Sequence, residues 1–258
     1  MSKKVRIDFY VILGIIFLSL PIIIYFHTRP LTSALFFFLL PTIYLFWRKK
    51  KPIKEVVCGA LLIGGAFGFI FDVVLSANNA WNEVTSQLVF NYRIFGFWPA
   101  DEPIWFILWA LFIIVFYEHF YEKDRKDKLS KKYKYILTPA LIVLFLVLTT
   151  AFFNKKLLLF PYTYFILALP TLIPIVYVLE KRPNLIIKFI KTSIFFFMLY
   201  LVYELTAVKL GQWYFPGEYI GQVKLLGIQF PFEELFFWMT LSSFAVLSIY
   251  EGFVDNNR

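Results

Sequence analysis

The sequence predicts an all-α membrane protein, a bundle of about eight transmembrane helices. Of its 258 residues, 60% are hydrophobic and 22% are aromatic. A water-soluble chain of this length could not bury so much apolar surface, so the bilayer must be its solvent. The net charge of +9 comes from basic residues in short clusters between apolar runs, which is typical of membrane topology signals. We therefore expect contact with membrane lipid and no nucleic-acid partner.

Eight apolar runs, each about 17–23 residues long, can cross a ~30 Å hydrocarbon core as helices. The first run follows a short basic start and shows no small-residue cleavage site after it. It is therefore interpreted as a retained helix and not as a signal peptide. The predicted helices cover residues 8–26, 31–47, 55–75, 103–120, 136–153, 156–179, 187–208 and 232–251.

Basic residues fall mainly at one end of these helices. They precede the first helix and follow the second, fourth and sixth, in the stretches 48–54, 123–134 and 181–191. Loops rich in lysine and arginine stay on the cytoplasmic side of the membrane. The sequence therefore predicts a multi-pass protein of the cytoplasmic (inner) membrane with both termini in the cytoplasm.

An internal repeat divides the chain. The stretch Phe71–Trp81 returns as Tyr203–Trp213, and each copy is followed at the same spacing by a proline and two carboxylates, at Pro99–Glu102 and Pro231–Glu234. Each repeat unit contains four helices, and an even number makes the two units parallel, related by an axis along the membrane normal. The predicted parts are a first four-helix repeat, 1–121, a basic cytoplasmic linker, 122–135, and a second four-helix repeat, 136–258.

The repeated carboxylates lie near the same ends of their helices. Two lie toward the outer ends of the third and seventh helices, and two pairs begin the fourth and eighth, so both halves can surround one pocket. Acids at helix starts also cap free N–H groups and stabilise the helix dipole. The matched spacing, and the cost of at least ~2.5–3.5 kcal/mol for a charge inside the membrane, favour a functional role. The candidate catalytic residues are Glu233, Glu234, Glu204, Asp72, Asp101 and Glu102.

These acids have aromatic neighbours. Adjacent carboxylates in an apolar wall cannot easily both ionise, so one is expected to keep its proton. Such an acid can protonate an alkene, aromatic faces can stabilise the carbocation by ~0.5–2 kcal/mol each, and a second carboxylate can take up a proton. This combination indicates a redox-neutral isomerase or cyclase acting on a membrane hydrocarbon. The candidate substrate-binding residues are Trp81, Trp213, Tyr203, Phe71, Phe232 and Phe236, with Pro99 and Pro231 in structural roles.

The second half resembles the integral-membrane lycopene cyclases of bacteria, archaea and fungi, which occur as two small subunits or fused in tandem. The similarity lies in Trp213, in Gly227–Trp238, which looks like the family's Leu-Pro-x-Glu-Glu-x-x-Phe-Phe signature, and in Ile249–Glu251. The first half resembles the same domain in a degraded form, so nearly the whole chain looks like a fused tandem pair. It departs from the family where the usual Trp-Asp is Phe71-Asp72, and Tyr203-Glu204 in the second half.

This resemblance implies cyclisation of a linear ψ-end to a β-ionone-type ring, with a hydrophobic polyene as the partner and no net redox change. An acid would protonate the terminal double bond, the cation would close the ring, and a base would remove a proton. The resemblance draws acid and base from Glu233, Glu234 and Glu204, with the first-half acids as a second set. Which residue is acid and which is base stays open, as do the polyene, the ring isomer and the oligomeric state.

No cofactor is expected. The glycines at 64, 65 and 68 lie inside an apolar helix with no strand before it, which favours close helix packing over dinucleotide binding and argues against reduced flavin. His27 and His119 are predicted to be interfacial residues on opposite sides of the membrane, so they form no metal pair. Asp124 and Asp127 fall in a lysine-rich loop and are predicted to be solvated, which argues against a prenyltransferase.

Three other functions remain open from the sequence. One is a cyclase or hydratase acting on another polyene or isoprenoid. Another is a proton-coupled transporter, because matched carboxylates on repeats also suit alternating access. The last is a non-catalytic carotenoid- or lipid-binding protein that keeps the pocket without the chemistry.

Overall fold

The computed structural model of the chain describes residues 3–48, 52–122 and 128–256. Within these ranges, eight helices are long and apolar enough to cross a membrane, which confirms the predicted all-α polytopic bundle. The helices are α1 Lys3–Phe26, α2 Pro30–Arg48, α3 Ile53–Ala77, α4 Glu102–Phe120, α5 Tyr133–Leu158, α6 Thr163–Lys181, α7 Pro183–Lys209 and α8 Glu234–Val254.

Several predicted boundaries differ from the structure, most of all at the start of the sixth helix. A 3-10 turn at Lys155–Leu158 extends α5, and Tyr162 takes a left-handed backbone (φ 51°) before α6 begins at Thr163. The predicted start at 156 is therefore wrong, because apolar residues after Lys156 belong to the preceding helix and its turn. Positions 49–51, 257–258 and 123–127, with Asp124 and Asp127, lie outside the described residues.

Helix α4 lies at the centre of the bundle. Its residues Phe112, Ile113 and Ile114 are fully buried, whereas large apolar side chains of the outer helices, such as Phe17 on α1 and Phe145 on α5, are mostly exposed. In a bilayer that exposed apolar surface faces lipid chains and needs no protein partner.

Helices α3 and α4 approach each other closely. A Cβ atom at Gly64 would lie 2.3 Å from the backbone carbonyl oxygen of Phe106, and one at Gly68 would lie 2.9 Å from the Phe106 ring. Gly65, on the same π-helical segment Leu61–Phe67, faces open space. The prediction of a close-packing site is confirmed, since small residues allow two helix backbones to approach in a membrane.

Six short strands lie in the two loops that precede α4 and α8, at what we call the strand end of the bundle. Strand β1 (Asn82–Glu83) pairs with β4 (Trp213–Tyr214), which joins the two halves. Each loop also has its own hairpin: β2 (Arg93–Ile94) with β3 (Trp98–Pro99), and β5 (Gln222–Leu225) with β6 (Ile228–Pro231).

The pairing of β1 with β4 follows the repeat. Asn82 lies opposite Tyr214, and these two residues hold the same position in their repeat units. An antiparallel pair centred on equivalent positions is what a local twofold axis through the ladder produces. The division into repeats itself stays a prediction, but the contact between the loops has the symmetry that it requires.

The opposite end of the bundle, called here the termini end, shows reciprocal contacts between α4 and α8. The Tyr117 hydroxyl donates a hydrogen bond to Glu251, and the Tyr250 hydroxyl donates one to Glu118 at 2.8 Å. The separation in sequence between equivalent residues of the two repeats is one residue larger here than at the strand end. Helix α8 begins with a π-helical segment, Glu234–Leu241, and a π-turn accommodates an extra residue within a helix.

Candidate functional site

A cavity of about 70 Å³ lies at the strand end, beneath strands β1 and β4 and between α3, α4, α6, α7 and α8. Carboxylates from both halves line it, and the rest of the wall is aromatic. It brings together seven of the predicted site residues and adds six that were not predicted. Its lining residues are Phe71, Trp81, Glu83, Glu102, Trp105, Phe106, Tyr164, Tyr203, Glu204, Trp213, Phe215, Glu234 and Trp238.

Glu102 and Glu234 are the first residues of α4 and α8. The hairpins before them, which end in Pro99 and Pro231, return the chain to the strand end and set the two acids at equivalent places. Both side chains are buried, with at most 8% of their surface exposed. A helix start near each acid supplies partial positive charge, which favours a carboxylate there.

Glu204 lies on α7 and is held by a residue of β4. The indole N–H of Trp213 donates a hydrogen bond to Glu204 Oε1 at 2.9 Å. The Tyr164 hydroxyl of α6 lies near Glu234, and both residues line the cavity. Glu204 therefore has a neutral donor that holds its carboxyl group in place, and Glu234 has a hydroxyl group nearby.

Asp72, the first-half counterpart of Glu204, is fully buried but lies behind the cavity wall. The indole N–H of Trp98 donates a hydrogen bond to it, and Ser76 Oγ donates another at 3.3 Å. Trp98 comes from strand β3, next to Pro99, and the repeat gave no reason to single it out. The two halves thus use their helix-end acids differently.

Asp101 and Glu233, the first acids of the two carboxylate pairs, bind loop backbone. Asp101 accepts hydrogen bonds from the N–H groups of Val89 (2.7 Å) and Phe90 (3.1 Å), and Glu233 accepts one from Ile220 at 2.8 Å. Neither acid makes a side-chain cap to its own helix. Both are buried, so each replaces water as the partner of loop amides at the strand end.

Glu83 on β1 is a buried cavity acid that sequence reasoning missed. Its carboxyl group shares a hydrogen bond with that of Glu102, which requires one of the two to carry a proton. Burial raises the pKa of Glu83 to about 7; the bond with Glu102 lowers this pKa, nearby Asp72 and Asp101 raise it, and Arg93 lowers it. The sequence contained one sign of this difference between the halves: Glu83 occupies the position at which the second repeat has Phe215.

The cavity floor is an aromatic cluster. Trp105 Nε1 donates a hydrogen bond to the Tyr203 hydroxyl at 2.9 Å, and the Trp238 ring lies 4.9 Å from the Trp105 ring. Trp105 follows Glu102 by one helical turn, so the helix period alone could have identified it. Phe232 and Phe236, by contrast, stack on each other outside the cavity and are 37% and 42% exposed.

A second cavity, of about 120 Å³, adjoins the first and is almost wholly apolar. It shares Phe71, Phe106, Tyr164 and Trp238 with the acidic cavity and continues toward the middle of the bundle between α3, α4, α6 and α8. Small residues such as Ala168 leave room along its wall. The acidic site therefore adjoins an apolar space at membrane depth, with shared side chains such as Phe71 and Trp238 between the two cavities.

His119, in the last turn of α4, is buried inside the bundle at the termini end. It is 3% exposed, and its Nε2 lies 2.9 Å from Asp8 Oδ2, where Arg48 Nε also contacts Asp8 at 2.7 Å. A buried imidazole needs such a partner, and the sequence did not predict this one because Asp8 is distant along the chain. The predicted interfacial depth of His119 stays a prediction. Among the described residues, no group of three or more His, Cys, Asp or Glu side chains is arranged to hold a metal ion.

No protein-family model, curated protein sequence or solved structure matches the chain. What the protein does must therefore be inferred from its own side chains and cavities.

Proposed function

We propose that the protein is a carotenoid end-group cyclase that converts a linear lycopene-type ψ-end to a β-ionone-type ring. The observation that carries this proposal is the cavity in which Glu83, Glu102, Glu204 and Glu234 meet beneath an aromatic wall. Carboxyl groups in a nearly dry aromatic site suit proton transfer to and from carbon, with no redox partner. The adjoining apolar cavity supports a hydrocarbon substrate over a polar one.

The reaction balances with one proton in and one proton out. A carboxyl O–H adds its proton to the terminal double bond, which leaves a tertiary cation. The next suitable double bond attacks this cation, so that a carbon–carbon bond closes the ring and the charge moves to a ring carbon. A carboxylate then removes a proton from the neighbouring carbon, and the ring double bond forms. Substrate and product are isomers, and no electron leaves the substrate.

We assign the acid to the first half of the site and the base to the second. The carboxyl groups of Glu83 and Glu102 lie close enough to share a proton, which suits Glu102 to be the acid. Glu204 and Glu234 line the second-half part of the same cavity, where a carboxyl oxygen can take up the proton that leaves the ring. The proton thus enters the substrate from the first half and leaves toward the second.

The aromatic wall supports the cationic steps. Trp105, Trp213 and Trp238 line the cavity, and a desolvated cation over an indole face gains about 2 kcal/mol or more. Strands β1 and β4 cover the site on the aqueous side, which limits capture of the cation by water. This cover favours a cyclase over a hydratase.

Substrate binding requires movement of the shared side chains. The acidic cavity, at about 70 Å³, is smaller than the ~150 Å³ void that holds benzene. A ring-forming end group fits only when it also takes up space from the apolar cavity, so Phe71 and Trp238, which separate the two, must turn aside. The first carbons of the unreacted chain then lie in the apolar cavity.

The test is expression in a bacterial host that accumulates lycopene, with the extracted pigments separated by chromatography and identified by absorbance and mass. We expect cyclic products of unchanged mass from the natural protein and none from Glu102→Gln or Glu234→Gln. The matched control is Glu218→Gln, an exposed acid in the loop before α8, which should retain the products.

Unchanged lycopene from well-expressed, membrane-inserted natural protein would overturn the lycopene assignment. Pigment that copurifies without conversion would support the non-catalytic binder instead. If Glu218→Gln lost the products as completely as Glu102→Gln, the cavity acids would have no special role.

A further inference from the structure

Glu83 contacts two different cavities. It lines the acidic cavity, and it also lines a polar cavity of about 470 Å³ on the outer side of the strand end. The polar cavity is bordered by Asn79, Asn82, Thr85 and Arg93, side chains that hold water readily. Glu83 is the one carboxylate shared by the linings of these two described cavities, since Glu102, Glu204 and Glu234 line the inner one alone.

The proposed reaction leaves the enzyme in the wrong protonation state after each ring. The acid has lost its proton and the base has gained one from the substrate. The next turnover needs a proton back on the acid, either directly from the base or from water. A buried carboxylate between the acid and a water-filled space provides the second route.

We propose that Glu83 is a proton relay between the polar cavity and Glu102, so that each new ring receives a solvent proton. This inference rests on the proposed cyclase function. One carboxyl oxygen of Glu102 gives its proton to the substrate, the Glu83 carboxyl passes a proton to Glu102 through their hydrogen bond, and water in the polar cavity reprotonates Glu83. The base releases the substrate's proton to water on the Tyr164 side of the site, where another polar cavity of about 660 Å³ begins, so the protons balance over a turnover.

The surroundings of Glu83 suit this role. Glu83 Oε2 is buried and receives no hydrogen bond from an amide, hydroxyl or indole group of the described residues. A carboxyl group whose pKa is raised to about 7 by burial exchanges protons in both directions near neutral pH. The charged and titratable groups around Glu83 are Asp72 on α3, Asp101 before α4, Glu102 on α4, Arg93 on β2, Tyr203 on α7 and Lys155 on α5.

A purely structural role does not explain Glu83. The second repeat has Phe215 at the equivalent position, so an apolar side chain satisfies the local fold there. The first repeat instead carries a buried acid next to the polar cavity, and burial of an acid costs free energy that an apolar side chain would not. The asymmetry places a carboxyl group of the first half beside the polar cavity, whereas the second half has an aromatic ring at the equivalent position.

The experiment measures deuterium in the product. Purified natural protein and Glu83→Gln, Glu83→Asp and Glu218→Gln variants convert the linear polyene in D₂O under multiple turnover, and mass spectrometry counts deuterium per ring. We expect about one deuterium per ring from the natural protein and from Glu218→Gln. With Glu83→Gln, the amount of deuterium per ring should fall at least twofold, because the acid then recovers the substrate's own proton from the base. Glu83→Asp should restore most of the label.

The pH profile gives a second readout. In the natural protein, proton delivery through Glu83 should weaken as pH rises through about 7, since less of the relay is protonated. For Glu83→Gln, we expect a lower kcat that no longer decreases as pH rises through about 7, with KM nearly unchanged. Rings from Glu83→Gln with as much deuterium as those from the natural protein would overturn the relay while leaving the cyclase intact. No ring from the natural protein would overturn the cyclase, and the relay with it.

Discussion

Two neighbouring acids at the start of a helix can have unrelated tasks. Glu234 lines the acidic cavity, whereas Glu233 turns back and accepts the N–H of Ile220. The first repeat divides its pair in the same way, with Asp101 on loop amides and Glu102 in the cavity. One acid of each pair binds the loop backbone and the other lines the cavity, so a motif of two carboxylates does not define a catalytic dyad.

This division predicts opposite outcomes for two adjacent substitutions. Glu233→Gln keeps a carbonyl oxygen that can accept the Ile220 N–H, so we expect activity within about threefold of the natural protein and a modest loss of stability, on the order of 1 kcal/mol. Glu234→Gln removes the titratable proton and should lower activity by at least about a hundredfold, in the range of general acid–base contributions.

Pigment conversion per unit of folded protein and the melting temperature in detergent give the two measurements. Asp101→Asn is the matched change in the first repeat and should behave like Glu233→Gln. Loss of activity in Glu233→Gln as large as in Glu234→Gln, with unchanged melting, would return Glu233 to the catalytic set.

At the scale of the elements, the contact between α3 and α4 fixes the position of the site along the bundle. Gly64 lies against the Phe106 backbone, and Phe106 in turn forms part of the cavity wall. Because the two backbones already touch, no side-chain rotation can make room for a methyl group at Gly64. The contact therefore holds Glu102, at the start of α4, in place relative to α3.

Gly64→Ala should lower the free energy of unfolding by about 1–3 kcal/mol, the usual cost of overpacking, or more where the backbone cannot shift. Gly65→Ala is the control from the same segment, since its Cβ would meet no atom within 4 Å and alanine favours the helix. Thermal unfolding in detergent should show a lower melting temperature for Gly64→Ala alone. Equal melting temperatures for both variants would contradict the close contact.

The sequence predicted the elements better than their fine geometry. The lengths of the apolar runs and the positions of the basic clusters are enough to predict eight helices, because the bilayer fixes the length of a span. The π-helical segment at Glu234–Leu241 was not predicted, although the one-residue change in repeat offset contained the signal.

The site was predictable where the repeat marked it and not elsewhere. Glu102, Glu204 and Glu234 occur at matched positions, and all three line the cavity. Glu83 breaks the repeat. Tyr164 lines the cavity and Trp98 binds Asp72 behind its wall, both through tertiary contacts that a linear pattern does not contain. Periodicity finds residues shared by both halves, whereas the differences between the halves appear only once the chain is folded.

At the scale of the whole molecule, each half completes the site of the other. Strand β1 of the first half pairs with β4 of the second, and the tyrosine–glutamate contacts join α4 to α8 at the opposite end. The acidic cavity takes acids from both halves. A single half would therefore leave buried carboxylates without a wall, which explains why the two belong in one chain or in one tight complex.

The orientation of this assembly in the membrane decides which aqueous phase reaches the strand end. The basic clusters predict that the termini end is cytoplasmic and the strand end external. Two exposed positions report on this: Leu226, in the turn between β5 and β6 and 84% exposed, and Lys131, just before α5. In a Cys58→Ala background, Leu226→Cys should react with a membrane-impermeant maleimide in intact cells, whereas Lys131→Cys should react only after the membrane is opened. The reverse pattern would place the strand end, and the polar cavity beside Glu83, in the cytoplasm. Because the relay would then draw protons from the cytoplasm, the labelling result also determines whether external or internal pH should govern the rate of ring formation.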